Sequence, residues 1–140
     1  MTTKKAKAPV YKLEDFFTKS IAEKATKMPL MYDDKDTGCH LMVKGIDAKS
    51  VQRARIIAQI GYADAADAID KIECKIEQEE YSRSAKEKIE IDLAVELISG
   101  WSFGKLDGKL KVIELLLENQ GLAFGVIAHA TTPSNYLVKK

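Results

Sequence analysis

The sequence has few residues that interrupt or cross-link a chain, with 3 prolines and 2 cysteines among 140 residues. Two cysteines are too few for the disulfide framework of a small secreted domain, and no apolar segment follows the basic N-terminus as it does in a signal peptide. We therefore expect free thiols and a cytoplasmic location. The shortage of proline leaves room for long helices, and the composition is typical of a single globular domain rich in helix-forming residues.

The sequence also lacks an excess of charge and a long apolar run. Lys and Arg number 22 and Asp and Glu number 21, so no overall field attracts nucleic acid or an anionic membrane. The longest apolar stretch, residues 121–130, is too short to cross a bilayer core of about 30 Å. We expect neither nucleic acid nor a membrane as a partner, and we expect any protein partner to be selected by shape or by local patches.

The apolar spacing predicts a mostly α fold with one small β-hairpin, as a single compact helical domain over residues 11–132. Residues 1–10 are predicted to be a flexible basic tail, and residues 133–140 a flexible C-terminal tail. Two short apolar runs around a polar turn that ends at Thr37-Gly38 predict the hairpin, near residues 29–44. Because an isolated hairpin is marginally stable, it must pack on helices or pair with another subunit.

Helical periodicity accounts for most of the remaining sequence. The predicted helices cover residues 12–26, a long segment from Asp47, a segment from Ser82 or Ser84 to Gly100, residues 110–117 and residues 122–130. Gly100 is predicted to be the left-handed residue that often follows a helix C-terminus.

The long predicted helix has a stripe of mostly small side chains, at alternating steps of three and four residues. We call it the small-residue stripe, and its members are Val51, Ala54, Ala58, Gly61, Ala65, Ala68 and Ile72. Small side chains allow another helix to approach closely, although Gly61 lowers helix propensity and marks a candidate kink. This stripe and the unpaired edges of the hairpin together predict self-association into a homo-oligomer.

The segment Gly100-Trp101-Ser102-Phe103-Gly104 fits the G-x-S-x-G pattern, which presents a nucleophilic serine in hydrolases. That pattern requires a strand before the serine, a helix after it, and an acid and a histidine downstream. Here the preceding segment is predicted to be helical, and the chain lacks the alternating strands and helices of a parallel sheet. We expect no enzyme activity, and we interpret Trp101 as an aromatic cover over the core.

Candidate ligands for a metal or a cofactor are also sparse. The residues Cys39, His40, Cys74 and His129 lack the spacing of a zinc site, and the acids near Gly38 do not follow the calcium-loop pattern. Neither a phosphate loop nor a dinucleotide fingerprint occurs. We expect no metal and no cofactor.

Three segments follow one another in a characteristic order: LMVKGIDAKSVQRARI (residues 41–56), DLAVELISGWSF (92–103) and KVIELLLENQGLAFGVIAHA (111–130). They resemble the tail assembly chaperones of long, non-contractile-tailed bacteriophages. In that family a strand leads through a glycine and an aspartate into a helix, a later helix ends in Gly-Trp, and a leucine-rich helix precedes a short final one.

The resemblance implies a non-catalytic protein of the host cytoplasm that is absent from the mature virion. Such a chaperone shields the tape measure protein and recruits the tail tube protein during tail morphogenesis. It is often also made as a longer product by ribosomal frameshifting. The alternative is another small phage morphogenesis or interaction protein, such as a head-tail completion protein.

Six apolar or aromatic side chains are candidate contacts with a partner, because they belong to the hairpin or to the turn after Gly100. They are Trp101, Phe103, Met31, Tyr32, Leu41 and Val43. The alternative interpretation is that each one belongs to the intramolecular core, where large apolar residues usually lie.

Overall fold

The computed structural model describes residues 12–106 and 108–136, which form five α-helices and one three-stranded antiparallel sheet. The helices are α1 (Thr18–Glu23), α2 (Gln52–Asp70), α3 (Lys75–Leu97), α4 (Leu110–Glu118) and α5 (Leu122–Ala130), and the strands are β1 (Thr26–Tyr32), β2 (Lys35–Val43) and β3 (Ile98–Trp101). The predicted fold class, mostly α with a small hairpin, is confirmed. The predicted basic tail, residues 1–10, lies outside the described residues.

The sheet has the order β1-β2-β3, so β2 is its central strand. Strands β1 and β2 form the predicted hairpin, but the connecting turn is Asp33-Asp34 and not a turn that ends at Gly38. Both aspartates have positive φ angles, 50° and 62°. A two-residue hairpin turn of the favoured type requires this conformation at both positions, and aspartate tolerates it better than most residues.

The segment before Ser102 differs from the prediction, because the helix expected to end at Gly100 ends earlier. Helix α3 stops at Leu97, and the chain continues as β3, in which Gly100 lies opposite Met42 of β2. The open edge of β2 offers hydrogen-bond partners to this segment, and such pairing overrides a local helical preference. Gly100 is therefore not a left-handed helix end.

The boundaries of two other helices, and the start of α3, also differ from the prediction. The segment expected to be one helix over residues 12–26 is a short 3-10 turn, Leu13–Phe16, followed by α1, and the chain enters β1 at Thr26. Helix α2 begins after a second 3-10 turn, Lys49–Val51, and runs through Gly61 without interruption. Helix α3 begins at Lys75, well before the two serines expected to start it.

The core lies between the sheet, the C-terminal half of α3, and helices α4 and α5. Its fully buried side chains come from all of these elements and from the turn before α2, and the largest are Leu41, Leu97, Val43, Val51, Val112 and Val126. The bounds of α4 and α5 agree with the prediction, but α4 turns Val112 and Leu116 toward the core and leaves Leu110 and Leu117 exposed.

The C-terminal segment folds back onto the core, although residues 133–140 are predicted to be a flexible tail. Pro133–Asn135 forms a 3-10 turn, and the Tyr136 hydroxyl donates a hydrogen bond to the Val43 carbonyl at 2.8 Å. This contact attaches residues 133–136 to the core, and their flexibility stays a prediction. The rest of the predicted tail, residues 137–140, lies outside the described residues.

Candidate partner-binding surfaces

The small-residue stripe lies inside the molecule. All of its members are buried or half-buried, and the helix that carries most of them packs against α3. A Cβ atom added at Gly61 would lie 3.2 Å from the Cδ1 and Cγ1 atoms of Ile89, which shows how closely the two helices approach. The stripe therefore serves packing within the chain and does not support self-association, contrary to the expectation from the sequence.

The distal halves of α2 and α3 form a helical arm, residues 59–90, that contributes no buried residue to the core. The inner sides of the two helices pack on each other, while Ile60, Tyr62, Ile76 and Tyr81 remain exposed on the outside. Single exposed apolar side chains are normal on a protein surface, but several large ones on one projecting element are typical of an interaction site.

A groove of about 650 Å³ lies at the base of this arm, between α2, α3 and α4. Its apolar lining consists of Ala54, Ile57, Ala58, Gly61, Ile89, Leu93, Val95 and Ile113. Ile57 is 56% exposed and forms part of the groove wall. The volume is within the range of about 300–1,000 Å³ that is common for ligand sites, and the lining is mainly aliphatic. The groove is therefore suited to an apolar occupant.

The rim of the groove is charged, but most of its charges already have partners. Lys88 pairs with Asp92 at 3.6 Å along α3, and Lys109 pairs with Glu96. Arg53 also lines the groove and takes part in none of the ion pairs between described residues. Apart from Arg53, an occupant that covers the rim therefore meets paired charges, which cost less to desolvate than single ones.

Two of the six predicted partner contacts belong to the core. Leu41 and Val43 are 0% exposed, because the side chains of alternate residues in β2 point toward the helices. Both therefore belong to the core, as the alternative interpretation has it, and neither is accessible to a partner in this fold. Met31 and Tyr32 are exposed at the far end of the hairpin, so these two stay candidates.

Trp101 and Phe103 form a pair at the end of β3, with ring centroids 5.5 Å apart in an edge-to-face arrangement. Trp101 lies opposite Leu41 in the sheet and packs against the core, as expected of an aromatic cover. Its Nε1 atom is buried and has no hydrogen-bond acceptor among the described residues. Phe103 is exposed, and it stays a candidate contact.

Ser102 extends the pairing of β3 with β2. Its hydroxyl accepts a hydrogen bond from the His40 backbone N–H at 2.9 Å, and its own N–H donates to the His40 carbonyl at 3.0 Å. The prediction that a helix enters this segment is wrong, since β3 does. Even so, the sheet is antiparallel and the next helix begins only at Leu110, so the segment does not have the geometry of a nucleophile elbow.

His129 holds together three parts of the fold instead of facing Ser102. Its Nε2 atom lies 2.7 Å from the Thr26 hydroxyl, its Nδ1 atom lies 3.3 Å from the side-chain amide of Asn135, and its ring meets Tyr136 edge-on. Burial lowers the pKa of His129, so the neutral imidazole is favoured in the folded chain. These contacts engage both ring nitrogens in the attachment of α5 to β1 and to the C-terminal segment.

The groove could not be located from the sequence, because it forms only where three separate helices meet. One signal was nevertheless present. Ile56, Ile57 and Ile60 lie off the small-residue stripe on the same helix, so a helix packed through that stripe leaves isoleucines without an internal partner.

Comparison of the chain with protein-family models, with curated proteins and with solved structures finds no match. Across the described ranges, no helix is long and apolar enough to cross a membrane. Among the same residues, no three His, Cys, Asp or Glu side chains are grouped to hold a metal ion. The groove and the exposed apolar side chains are therefore the features from which a function is inferred.

Proposed function

We propose that the protein is a non-catalytic assembly chaperone that holds an apolar helical segment of an elongated partner in the groove between α2, α3 and α4. The observation that carries the proposal is the combination of an aliphatic lining with a rim of mostly paired charges. In the tail assembly chaperones that the sequence resembles, the partner is the tape measure protein. We propose the same partner here, and we propose that the two meet in the host cytoplasm before the virion is complete.

The dimensions of the groove suit a helix. The stretch of α2 that lines the groove extends from Arg53 to Gly61, and eight residues of helix correspond to roughly 12 Å, or about two turns. A bound segment with apolar residues at helical spacing buries one face on such a surface, as in other helix-in-groove complexes. Ile57 and Ile113 contact the sides of the bound segment, and Ala54, Ala58 and Gly61, which also pack toward α3, complete the lining.

Recruitment of the tail tube protein, which the resemblance implies, requires a second surface. The exposed end of the hairpin, with Met31 and Tyr32, belongs to different elements from those that line the groove. We propose this end of the hairpin as the contact with the tail tube protein, because it leaves the groove available to the tape measure protein.

Co-expression with the tape measure protein of the same gene cluster, followed by affinity capture, tests the proposal. We expect the wild-type chain to retain the partner, and we expect Ile57→Glu to reduce retention by at least about tenfold, because the complex would bury an added carboxylate against an aliphatic lining, even where Arg53 four residues earlier pairs with it. Ile76→Glu is the matched control, since Ile76 is 71% exposed on the arm and does not line the groove. Circular dichroism of both variants establishes that they are folded.

Equal retention by wild type and Ile57→Glu would contradict binding in the groove. Mass spectrometry of purified virions separates the two functional classes, because a chaperone is absent from finished particles and a head-tail completion protein is present. Detection of the chain in virions at a fixed ratio to the structural proteins would therefore favour the completion protein.

A further inference from the structure

Helix α2 has a second stripe of residues on the side that faces away from α3. We call it the outer stripe, and its members are Lys49, Arg53, Ile56, Ile60, Asp64 and Asp67. Successive members are three or four residues apart, so they lie along one face of the helix, with Lys49 in the turn just before it. All six are exposed, and Ile56 and Ile60 are 48% and 56% exposed.

The charges of the outer stripe are arranged in a fixed order along the helix. The basic residues Lys49 and Arg53 lie at its N-terminal end, the two isoleucines lie in the middle, and the acidic residues Asp64 and Asp67 lie toward its C-terminal end. This order opposes the helix dipole, which favours acids near the N-terminus and bases near the C-terminus. Stabilisation of the isolated helix therefore does not explain it.

The charged members of the outer stripe also have no ion-pair partners within the described chain. Arg53 and Asp64 are eleven residues apart, or roughly 16 Å along the helix axis, which is too far for them to pair with each other on one α2. A surface with an apolar centre and opposite charges at its two ends is, however, complementary to a copy of itself turned end for end.

We propose that the outer stripe binds the outer stripe of a second copy of this chain, with the two α2 helices antiparallel about a two-fold axis near residue 58. In this register Arg53 faces the partner subunit's Asp64, Lys49 faces the partner subunit's Asp67, and Ile56 faces the partner subunit's Ile60. Each contact occurs twice, as it must in a two-fold interface. A parallel arrangement would instead place like charges opposite each other, so the charge order selects the antiparallel one.

The proposed dimer surface is distinct from the groove. Arg53 is the one member of the outer stripe that also lines the groove. The proposal consequently goes beyond the chaperone function and does not depend on a tape measure partner. It also places self-association on the opposite side of α2 from the small-residue stripe, which α3 already covers.

Sedimentation equilibrium of the purified full chain tests the apolar centre of the interface. We expect a monomer-dimer equilibrium, and we expect Ile60→Glu to raise the dimer Kd by at least about tenfold, because the two-fold axis buries the introduced carboxylate twice. Ile76→Glu is the control and should leave the Kd unchanged. Ile76 is suitable as a control because it does not lie on the side of α3 that packs against α2. The half-buried residues Ser82, Ala85 and Ile89 mark that side.

A charge exchange tests the register. Arg53→Asp and Asp64→Arg should each weaken the dimer by about threefold to tenfold, because each places like charges opposite each other at both ends. The double variant Arg53→Asp/Asp64→Arg restores opposite charges across the axis, and its Kd should return to near the wild-type value. All variants should keep the helical circular dichroism of the wild type.

Three results would overturn the proposal. The first is a wild-type chain that stays monomeric at the highest concentration at which it is soluble. The second is an oligomer of any size whose Kd is unaffected by Ile60→Glu. The third is a double charge variant that is no tighter than either single variant.

Discussion

The fold leaves no space for a Cβ atom at Gly45. A Cβ atom added at Gly45 would lie 2.7 Å from the Cβ atom and 3.1 Å from the Cα atom of Ala22, and the Gly45 N–H donates to the Ala22 carbonyl at 2.8 Å. Because the neighbouring atoms belong to the backbone and to a methyl group, no flexible side chain is available to move aside. The segment that follows β2 and helix α1 are therefore joined at a contact that only glycine permits.

We predict that Gly45→Ala lowers the free energy of unfolding by about 1–3 kcal/mol, the usual cost of overpacking a close contact. Gly100→Ala is the control, because a Cβ atom there would lie 3.7 Å from the Met42 side chain, an ordinary contact distance. Urea denaturation of the two variants gives the comparison. An equal loss in both would show that close packing against Ala22 is not the cause.

His129 makes the stability of the fold depend on pH. Since burial lowers its pKa below the ordinary value of 6.5, the unfolded chain binds more protons than the folded chain as the pH falls below that value. The stabilisation is complete above the unfolded pKa and is lost as the pH falls through the folded pKa. We predict that the free energy of unfolding decreases more steeply between pH 7 and pH 5 in wild type than in His129→Gln. Urea denaturation at several pH values measures this difference. The same decrease with pH in both proteins would contradict this role of His129.

Elements whose formation depends on local spacing were predicted well from the sequence, and elements that depend on distant partners were not. Helices α4 and α5 follow their apolar periodicity, and Gly121 separates them in the left-handed conformation, with φ 84°. Strand β3 was missed because Leu97, Ile98 and Trp101 are equally compatible with a helix. The decisive partner is the edge of β2, more than 50 residues earlier in the chain.

The helical arm should be the least stable part of α2 and α3, since its residues contribute no buried side chain to the core. We predict that backbone amides of residues 62–85 exchange with solvent faster than those of residues 91–97, which lie in the core half of α3. Hydrogen exchange of the Ile60→Glu variant gives this comparison without the contribution of dimerisation. Equal protection along the whole of α3 would mean that the arm is part of the same cooperative unit as the core.

At the scale of the whole molecule, the two faces of α2 have separate roles. The fold class followed from the sequence, but the division of this helix did not, because it depends on α3 covering the small-residue stripe. Once that side is occupied, Ile57 lines the groove, while Ile56 and Ile60 form the centre of the outer stripe. In our proposals, one surface of the molecule binds a helical partner and another binds a second copy of the chain.

The central claim is that the groove, and not the end of the hairpin, holds the tape measure protein. Hydrogen exchange of the chain with and without that protein tests it most directly, because bound helices protect the segments that they contact. We predict that protection increases at residues 50–61, at residues 88–96 of α3 and at the start of α4, and that it is unchanged at Met31 and Tyr32. Protection confined to the hairpin, or none in the groove while the partner is bound, would contradict the account.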